Sequence, residues 1–243
     1  MASEIALVIG VGAENGVGAA VARRFAREGF HVLVCGRTRE NLEAVAESIR
    51  ALGHEASAVV GDTTVPEGVQ HYFDEAERLG GVPRVVVYNA GNNLPVPTLE
   101  IEPRFFEDLW RVCCFGGFLV GQEAARRMVP NGGGSLLYTG ATASMRGKPP
   151  FVAFASGKAA LRMVVQGFAR DFGKQGIHVG HVVIDGIIDG EIVNTRFPGI
   201  KDHLGEGGMM QPDDIAEAYW MLHSQPPSAW TLELDLRPDR EDF

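Results

Sequence analysis

Short apolar segments alternate with amphipathic segments from the start of the chain to about residue 185. The apolar segments carry Val, Ile or Leu at successive positions, which is typical of strands covered by helices on both faces. Six segments have this character: EIALVIG, HVLVC, ASAVVG, RVVVYNAG, SLLYTG and IHVGHVVID. Between them, apolar residues recur at helical spacing, as at Val17, Val21 and Phe25. The pattern predicts a parallel sheet covered by crossover helices.

The pattern changes after the sixth predicted strand. Residues 186–210 are rich in glycine and carry apolar side chains without regular spacing, which predicts a long loop. Long loops inside compact domains are often lids over a binding site. A helix resumes at Pro212, a residue that suits the first helical turn, and AWTLELDLRPDREDF predicts a final strand with a polar tail. We therefore expect one domain over residues 1–243, with a mobile substrate loop at about 186–210.

Composition and net charge limit the kinds of molecule that this protein is expected to bind. The chain has 243 residues, of which 45% are apolar, so it is large enough to bury a substantial core. Acidic residues outnumber basic ones by 31 to 22, and a net charge of -9 offers no overall attraction for nucleic acid or anionic lipid. No apolar run reaches the roughly 18 residues of a membrane span, and the first residues lack the parts of a signal peptide. We expect a cytoplasmic protein that acts on a small molecule, away from membranes.

The three cysteines do not form a recognisable framework. Cys35, Cys113 and Cys114 have neither the spacing of a disulfide scaffold nor that of a zinc site. We expect no metal, and we interpret the adjacent pair as small buried apolar side chains.

A glycine-rich turn follows the first predicted strand and leads directly into a helix. This turn, GVGAENGVG at residues 10–18, has glycines at positions 12, 16 and 18. Such glycines let the backbone approach a pyrophosphate, whose charge then meets amide N–H groups at the start of the helix. Strand, turn and helix in this order predict a dinucleotide site, with these binding residues: Gly12, Asn15, Gly16, Val17 and Gly18.

The end of the second strand bears on the choice of cofactor. An acidic side chain near this point accepts hydrogen bonds from the 2′-hydroxyl of NAD, whereas an arginine favours the 2′-phosphate of NADP. The sequence has Gly36 and Arg37 there, and a guanidinium binds phosphate in bidentate fashion. We therefore favour NADP(H) and keep NAD(H) open, because the carboxylate of Glu14 in the glycine turn would repel a phosphate.

Three motifs in order resemble the short-chain dehydrogenase/reductase family: the spacing GxxxGxG, the segment YNAG at 88–91, and a helical lysine, Lys158. The resemblance covers nearly the whole chain, including PDDIAEA near the C-terminus. It implies a single doubly wound Rossmann-type α/β domain, with about seven parallel strands and helices on both faces, in a homodimer or homotetramer. It also implies that Asp62 contacts adenine and that Lys158 bonds the nicotinamide ribose. Four further residues would border the cofactor: Asn89, Ala90, Gly91 and Ile187.

Plainer interpretations stay open for some of these residues. Asp62 is also a suitable turn-capping residue, and Asn89 to Gly91 would also suit a simple turn. Arg37 would also suit a solvated loop.

The resemblance breaks down at the catalytic positions. Family members use a Ser, a Tyr, a Lys and an Asn, and the phenol serves as proton donor because a nearby ammonium lowers its pKa. Here the tyrosine position in FASGK is Phe154, the serine position 13 residues earlier is Ala141, and the asparagine position is Cys113. Only Lys158 remains.

Other groups could take over the proton chemistry. Asp185 follows the sixth strand, at the edge of the sheet where ligands bind. Its carboxylate would either orient the substrate or exchange protons with it, or it would cap a turn. Thr142 and Lys158 are further candidates, and His181 is either a hydrogen-bonded core histidine or an acid. The first hypothesis is an NADP(H)-dependent oxidoreductase that transfers hydride with non-standard proton chemistry on a carbonyl, an alcohol or an activated alkene. The alternative is a nucleotide-binding sensor or assembly protein without turnover.

Overall fold

The computed structural model describes residues 3–240. Within that range, seven strands form one sheet in which every neighbouring pair is parallel. In chain order, the strands β1 to β7 are Ile5–Ile9, His31–Gly36, Ala56–Val60, Val85–Tyr88, Gly134–Ala141, Ile177–Ile184 and Glu233–Leu236. Their order across the sheet is β3-β2-β1-β4-β5-β6-β7. The predicted parallel sheet is confirmed, including the final strand.

Helices cover both faces of this sheet. In chain order, helices α1 to α9 are Val17–Arg27, Arg39–Ala51, Pro66–Leu79, Pro103–Trp110, Gly116–Met128, Val152–Phe172, Glu191–Arg196, Ile200–Leu204 and Pro212–His223. A π-helical turn, Arg111–Phe115, joins α4 to α5. Buried residues of α1, α2 and α9 form a core on one face, and those of α3, α5 and α6 form a second core on the other.

The two cores explain the apolar character of the strands. Every residue of β1 is buried, and successive side chains point to opposite faces of a strand. Ala6 and Val8 accordingly belong to the first core, whereas Leu7 and Ile9 belong to the second. A strand between two helical layers therefore needs apolar residues at every position, which is the pattern that the sequence shows.

The strand order reverses between β1 and β4, because the chain builds β2 and β3 on one side of β1 and the remaining strands on the other. In open α/β sheets, ligands bind beyond the carboxyl ends of the strands at such a reversal. The glycine turn follows β1 and the YNAG segment ends β4, so both lie at this point.

The region predicted as a loop contains structure of its own. Residues 186–210 include the short helices α7 and α8, and Ile188 forms a parallel bridge with Met210. These helices have six and five residues, fewer than two turns, so an apolar repeat cannot mark them in the sequence. The predicted polar tail continues to residue 240, and its last three residues lie outside the described part of the chain.

Candidate functional site

The glycine turn presents free backbone amides to a ligand. Helix α1 begins at Val17 after Gly16, and its first turn carries no acidic residue. Among residues 3–240, no side chain caps its first amides. The first N–H groups of a helix lack intrahelical partners, and the helix dipole favours negative charge there. This end of α1 therefore fits a pyrophosphate, as the sequence predicts.

Two glycines in this turn are required by close packing. Gly10 has a φ of +90°, and a Cβ placed on it would lie 2.3 Å from the backbone nitrogen of Ala90. A Cβ on Gly18 would lie 3.0 Å from Nδ2 of Asn89. By contrast, a Cβ on Gly12 would have no described atom within 4 Å. Sequence reasoning did not single out Gly10, although it opens the same glycine-rich segment, GVGAENGVG.

Asn89 joins the ends of three strands. Its Nδ2 donates to the carbonyl of Gly10 at 3.0 Å, and its Oδ1 accepts a hydrogen bond from Oγ1 of Thr139 at 2.9 Å. The Thr139 hydroxyl also lies 2.6 Å from the Tyr219 hydroxyl on α9. These bonds hold the segment Asn89 to Gly91 against the glycine turn. Sequence reasoning missed Thr139 and Tyr219, whose partners are distant in the chain.

The expected adenosine end of the site has a free guanidinium. Arg37 lies exposed directly after β2, and it makes no hydrogen bond or ion pair with any residue in the described part of the chain. Asp62 follows β3, and its Oδ1 accepts hydrogen bonds from the backbone N–H and the hydroxyl of Thr64, both at 2.8 Å. The carboxylate of Asp62 thus stabilises a turn at the expected adenine site.

Lys158 lies deep in the site, near the start of α6. Its side chain is buried, and Nζ donates a hydrogen bond to the backbone carbonyl of Thr139 at 2.8 Å. A Cβ on Gly91 would lie 3.2 Å from this nitrogen, so the amine borders the end of β4. Burial lowers the pKa of Lys158, because desolvation disfavours its charged form. The lysine therefore gives up a proton more readily than an exposed lysine would.

The three residues predicted at the Ser, Tyr and Asn positions of the family lie together in one apolar cluster. Cys113 and Phe154 are buried within it, and Ala141 packs against them. The Phe154 ring centroid is 5.8 Å from Nζ of Lys158, and the thiol of Cys113 approaches Gly91 from the same side as the lysine. Cys113 lies in the π-helical turn, a feature that is often found at functional sites. The site thus presents apolar side chains at the positions that the sequence pattern predicts to correspond to the Ser, Tyr and Asn of the family.

Asp185 is held in an ion pair at the carboxyl end of β6. Thr142 donates a hydrogen bond to its Oδ1 at 2.6 Å, and one nitrogen of Arg146 contacts both carboxylate oxygens at 2.8 Å. Although burial opposes the effect, these two partners lower the pKa of Asp185 below its ordinary value. Asp185 is therefore an ionised carboxylate at neutral pH, and the Thr142 hydroxyl is engaged with it.

A buried carboxylate organises the loop at residues 186–210. Asp189 accepts hydrogen bonds from Nδ2 of Asn194 at 2.8 Å and from Nζ of Lys201 at 2.6 Å. These partners lower the pKa of Asp189 to about 2. Next to it, the N–H of Glu191 donates to the carbonyl of Asn15 at 3.1 Å. The loop is therefore attached to the glycine turn through Asn15, a contact that no local sequence pattern reveals.

Ile187 lies at the base of this loop. Its side chain is partly exposed, and its carbonyl accepts a hydrogen bond from the N–H of Met210 at 2.8 Å.

The predicted site residues fall into two groups. The structure brings Lys158 together with Ala141, Phe154 and Cys113. Arg37 and Asp62 follow β2 and β3, on the other side of the strand reversal.

A family model described as short chain dehydrogenase matches residues 4–200. The chain belongs to the short-chain dehydrogenase/reductase family. A solved short-chain dehydrogenase from Rhodopseudomonas palustris is 36% identical with a TM-score of 0.82, covering 97% of this chain and 98% of that chain. A 7α-hydroxysteroid dehydrogenase, solved with NADH and 7-oxo glycochenodeoxycholic acid, is 27% identical with a TM-score of 0.86, covering 96% and 92%. Glucose 1-dehydrogenase of Gluconobacter oxydans (strain 621H) is 30% identical over 225 residues, 90% of this chain and 85% of that protein.

Membership places this short-chain dehydrogenase/reductase among oxidoreductases that use a nicotinamide cofactor and act on small molecules. The uncapped start of α1 and the close packing of Gly10 and Gly18 fit the pyrophosphate of such a cofactor. Between residues 3 and 240, no helix has both the length and the apolar character needed to cross a membrane.

Proposed function

We propose that this protein is an NADP(H)-dependent oxidoreductase that transfers hydride without a tyrosine acid. The proposal rests on a contrast between the residues that would bind the cofactor and the residues at the predicted catalytic positions. The glycine turn, Asn89 and Lys158 form a site that fits a dinucleotide, whereas Ala141, Phe154 and Cys113 present no hydroxyl or amide donor to a carbonyl oxygen.

The preference for NADP(H) rests on Arg37. Its guanidinium is exposed, unengaged within the described part of the chain, and located where the ribose 2′ position of a dinucleotide lies in this fold. A guanidinium offers five N–H donors and keeps its charge at physiological pH, which suits a phosphate better than a hydroxyl. Glu14 is exposed in the glycine turn, where solvent screens its repulsion of a phosphate.

Lys158 is the group best suited to carry the proton. When bound, the nicotinamide supplies or accepts the hydride, and the chain must manage the accompanying proton. Phe154 has no proton to give, and Asp185 stays ionised in its pair with Arg146. An ammonium has three donors, of which Lys158 uses one on Thr139, and burial favours release of its proton.

The missing phenol restricts the substrate. Loss of general acid catalysis costs about 10²–10⁴ in rate, so reduction of an ordinary ketone should be slow. A hydride acceptor that is already activated, such as a conjugated alkene, needs less proton donation in the transition state. We therefore favour an activated alkene or carbonyl, held in the apolar cluster under the loop 186–210.

We further propose that the protein acts in the cytoplasm as a homodimer or homotetramer. Light scattering after size-exclusion chromatography would measure the mass of the assembly, and a monomer would contradict this part of the proposal.

The test is binding and turnover measured on the same preparation. Calorimetry with NADPH and NADH gives the cofactor preference, and a panel of activated alkenes, ketones and secondary alcohols gives the reaction. We expect tighter NADPH binding and faster turnover of activated alkenes than of ketones, with Lys158→Met as the inactive control. NADPH binding without turnover of any class would favour the sensor or assembly alternative. If the protein binds neither NADPH nor NADH, both the oxidoreductase proposal and the sensor or assembly alternative are contradicted.

A further inference from the structure

A single residue of β5 contacts both parts of the candidate site. The backbone carbonyl of Thr139 accepts a hydrogen bond from Nζ of Lys158 at 2.8 Å, and its hydroxyl lies 2.9 Å from Oδ1 of Asn89. The same hydroxyl lies 2.6 Å from that of Tyr219, a fully buried side chain of α9. Thr139 is itself buried. It therefore binds the lysine through its backbone and the asparagine through its side chain.

The hydrogens in this series of bonds have one consistent direction. The carbonyl of Gly10 only accepts, so the atom of Asn89 that faces it is Nδ2, and the atom that faces Thr139 is Oδ1. Because Oδ1 is also only an acceptor, the hydroxyl hydrogen of Thr139 points to Asn89. Tyr219 must then donate to Thr139. Burial raises the pKa of the Tyr219 phenol, which keeps that hydrogen in place.

The series of bonds ends at the glycine turn. Nδ2 of Asn89 donates to the carbonyl of Gly10 at 3.0 Å, and a Cβ on Gly18 would lie 3.0 Å from the same nitrogen. The backbone N–H of Asn89 also donates to the carbonyl of Ile9 at 2.8 Å. The Asn89 amide therefore packs between the end of β1 and the start of α1, where the pyrophosphate of a dinucleotide fits.

The Thr139 hydroxyl decides which way the Asn89 amide faces. A valine at position 139 would leave Oδ1 of Asn89 and the hydroxyl of Tyr219 without a partner, and buried polar groups rarely lack one. Without the hydroxyl, the amide would be free to turn over and place its oxygen against the Gly10 carbonyl. Two acceptors that face each other form no hydrogen bond, so the glycine turn would lose its connection to β4.

We propose that Thr139, with its hydroxyl held by Tyr219, is a positioning residue for the cofactor and acts through Asn89. The inference rests on the proposed function only in that a nicotinamide dinucleotide binds at the glycine turn. A turn that is already in its bound conformation spends no binding free energy on ordering. The affinity for the cofactor therefore depends on Thr139 and Tyr219, although neither needs to touch it.

The test compares calorimetric dissociation constants for NADPH in variants that change one hydroxyl at a time. Thr139→Val removes the hydroxyl and keeps the carbonyl that binds Lys158, Thr139→Ser keeps both groups, and Tyr219→Phe removes the first donor. The matched control is Tyr138→Phe. Tyr138 is the neighbouring residue of β5, is fully buried and donates to the carbonyl of Gly117 at 3.1 Å, but it lies on the opposite face of the sheet.

We expect Thr139→Val to weaken NADPH binding by about 10-fold and Tyr219→Phe by about 3-fold, because ordering a freed side chain on binding costs factors of this size. NADH binding should weaken by the same factors, since Thr139 and Arg37 lie on opposite sides of the strand reversal. Thr139→Ser should bind as the wild type does. In urea unfolding, Tyr138→Phe should lose stability as Tyr219→Phe does, but it should keep its affinity for NADPH.

Wild-type affinity in Thr139→Val would overturn the positioning role. An equal loss of affinity in Tyr138→Phe would also overturn it, because the effect would then follow from lost stability alone, as would a Thr139→Ser variant that fails to recover binding. If Thr139→Val does not fold, Tyr219→Phe decides the question, and unchanged affinity there contradicts the role. A wild type that binds neither NADPH nor NADH would instead contradict the proposed function itself.

Discussion

Restoring the missing donors should create an ordinary ketone reductase. The perturbation is the pair Phe154→Tyr and Ala141→Ser. Phe154 is buried beside Ala141, and the first change adds only one hydroxyl to a ring that is already accommodated. The new phenol would be placed next to Lys158, and the new serine would offer a second donor in the same cluster.

The magnitude follows from the distance between Lys158 and the Phe154 ring. At 5.8 Å and an effective dielectric constant of about 20, one unit charge acts on another with about 3 kcal/mol, or about 2 pKa units. Burial opposes this effect, as it does for Tyr138, where it raises the phenol pKa well above the ordinary value. Lowered by about 2 units from about 10, the phenol pKa would still lie above 7, and burial raises it further, so the phenol keeps its proton at neutral pH and can donate it. General acid catalysis of this kind contributes about 10²–10⁴ in rate.

The assay is loss of NADPH absorbance with activated ketones under single-turnover conditions, so that product release does not limit the rate. The double variant should exceed the wild type by at least about 10²-fold. The matched control is Phe151→Tyr with Ala143→Ser, which adds the same two hydroxyls to residues packed on the same cluster. The control should gain nothing, because its phenol does not replace the ring beside Lys158.

Two results would refute this reasoning. The first is a double variant that folds and binds NADPH but is no faster than the control. The second is a wild type that already reduces ordinary ketones well, with Phe154→Tyr leaving its rate unchanged. In the second case the acid lies elsewhere, and Asp185→Asn becomes the next variant to measure.

Three further predictions concern the cofactor site and the loop. Arg37→Asp should weaken NADPH binding by about 10- to 100-fold in calorimetry, since a hydrogen bond to a charged group contributes about 1.5–3 kcal/mol, and should leave NADH binding equal or tighter. Gly10→Ala should destabilise the fold by about 1–3 kcal/mol in urea unfolding, through its close contact with Ala90, whereas Gly12→Ala should not; equal effects would contradict the packing argument. The Asp189 pKa of about 2 lies below the ordinary value. The stabilisation that the ionised Asp189 gives to the loop is therefore complete above about pH 4 and is lost as the pH falls toward 2. Hydrogen exchange in residues 186–210 should accelerate across that range in the wild type but not in Asp189→Asn.

Much of the fold could be predicted from local patterns. The two-sided burial of β1 requires apolar residues at successive positions, so the strand is visible in the sequence itself. The glycine turn combines strand, glycines and helix within a few residues, which locates a phosphate site without knowledge of distant contacts. Family spacing likewise identifies Ala141, Phe154 and Lys158 as positions that belong together, and the structure places them side by side.

Other features depend on residues that are far apart in the chain. Thr139 bonds Asn89, 50 residues away, and Tyr219, 80 residues away, and neither pairing has a local signal. The helices α7 and α8 are too short to show periodicity, and Asp189 secures them through side chains from either side of the loop.

The electrostatic state of the site was also decided by tertiary structure. From the sequence, Asp185 is a carboxylate at the end of a strand, free to act as an acid or a base. The fold brings Arg146 and Thr142 to it, 39 and 43 residues away, and thereby keeps it ionised. The sequence determines which groups are available and where strands and helices form, because those depend on neighbouring residues. Protonation depends on burial and on the charges that folding brings within a few ångströms, and only the tertiary structure supplies both.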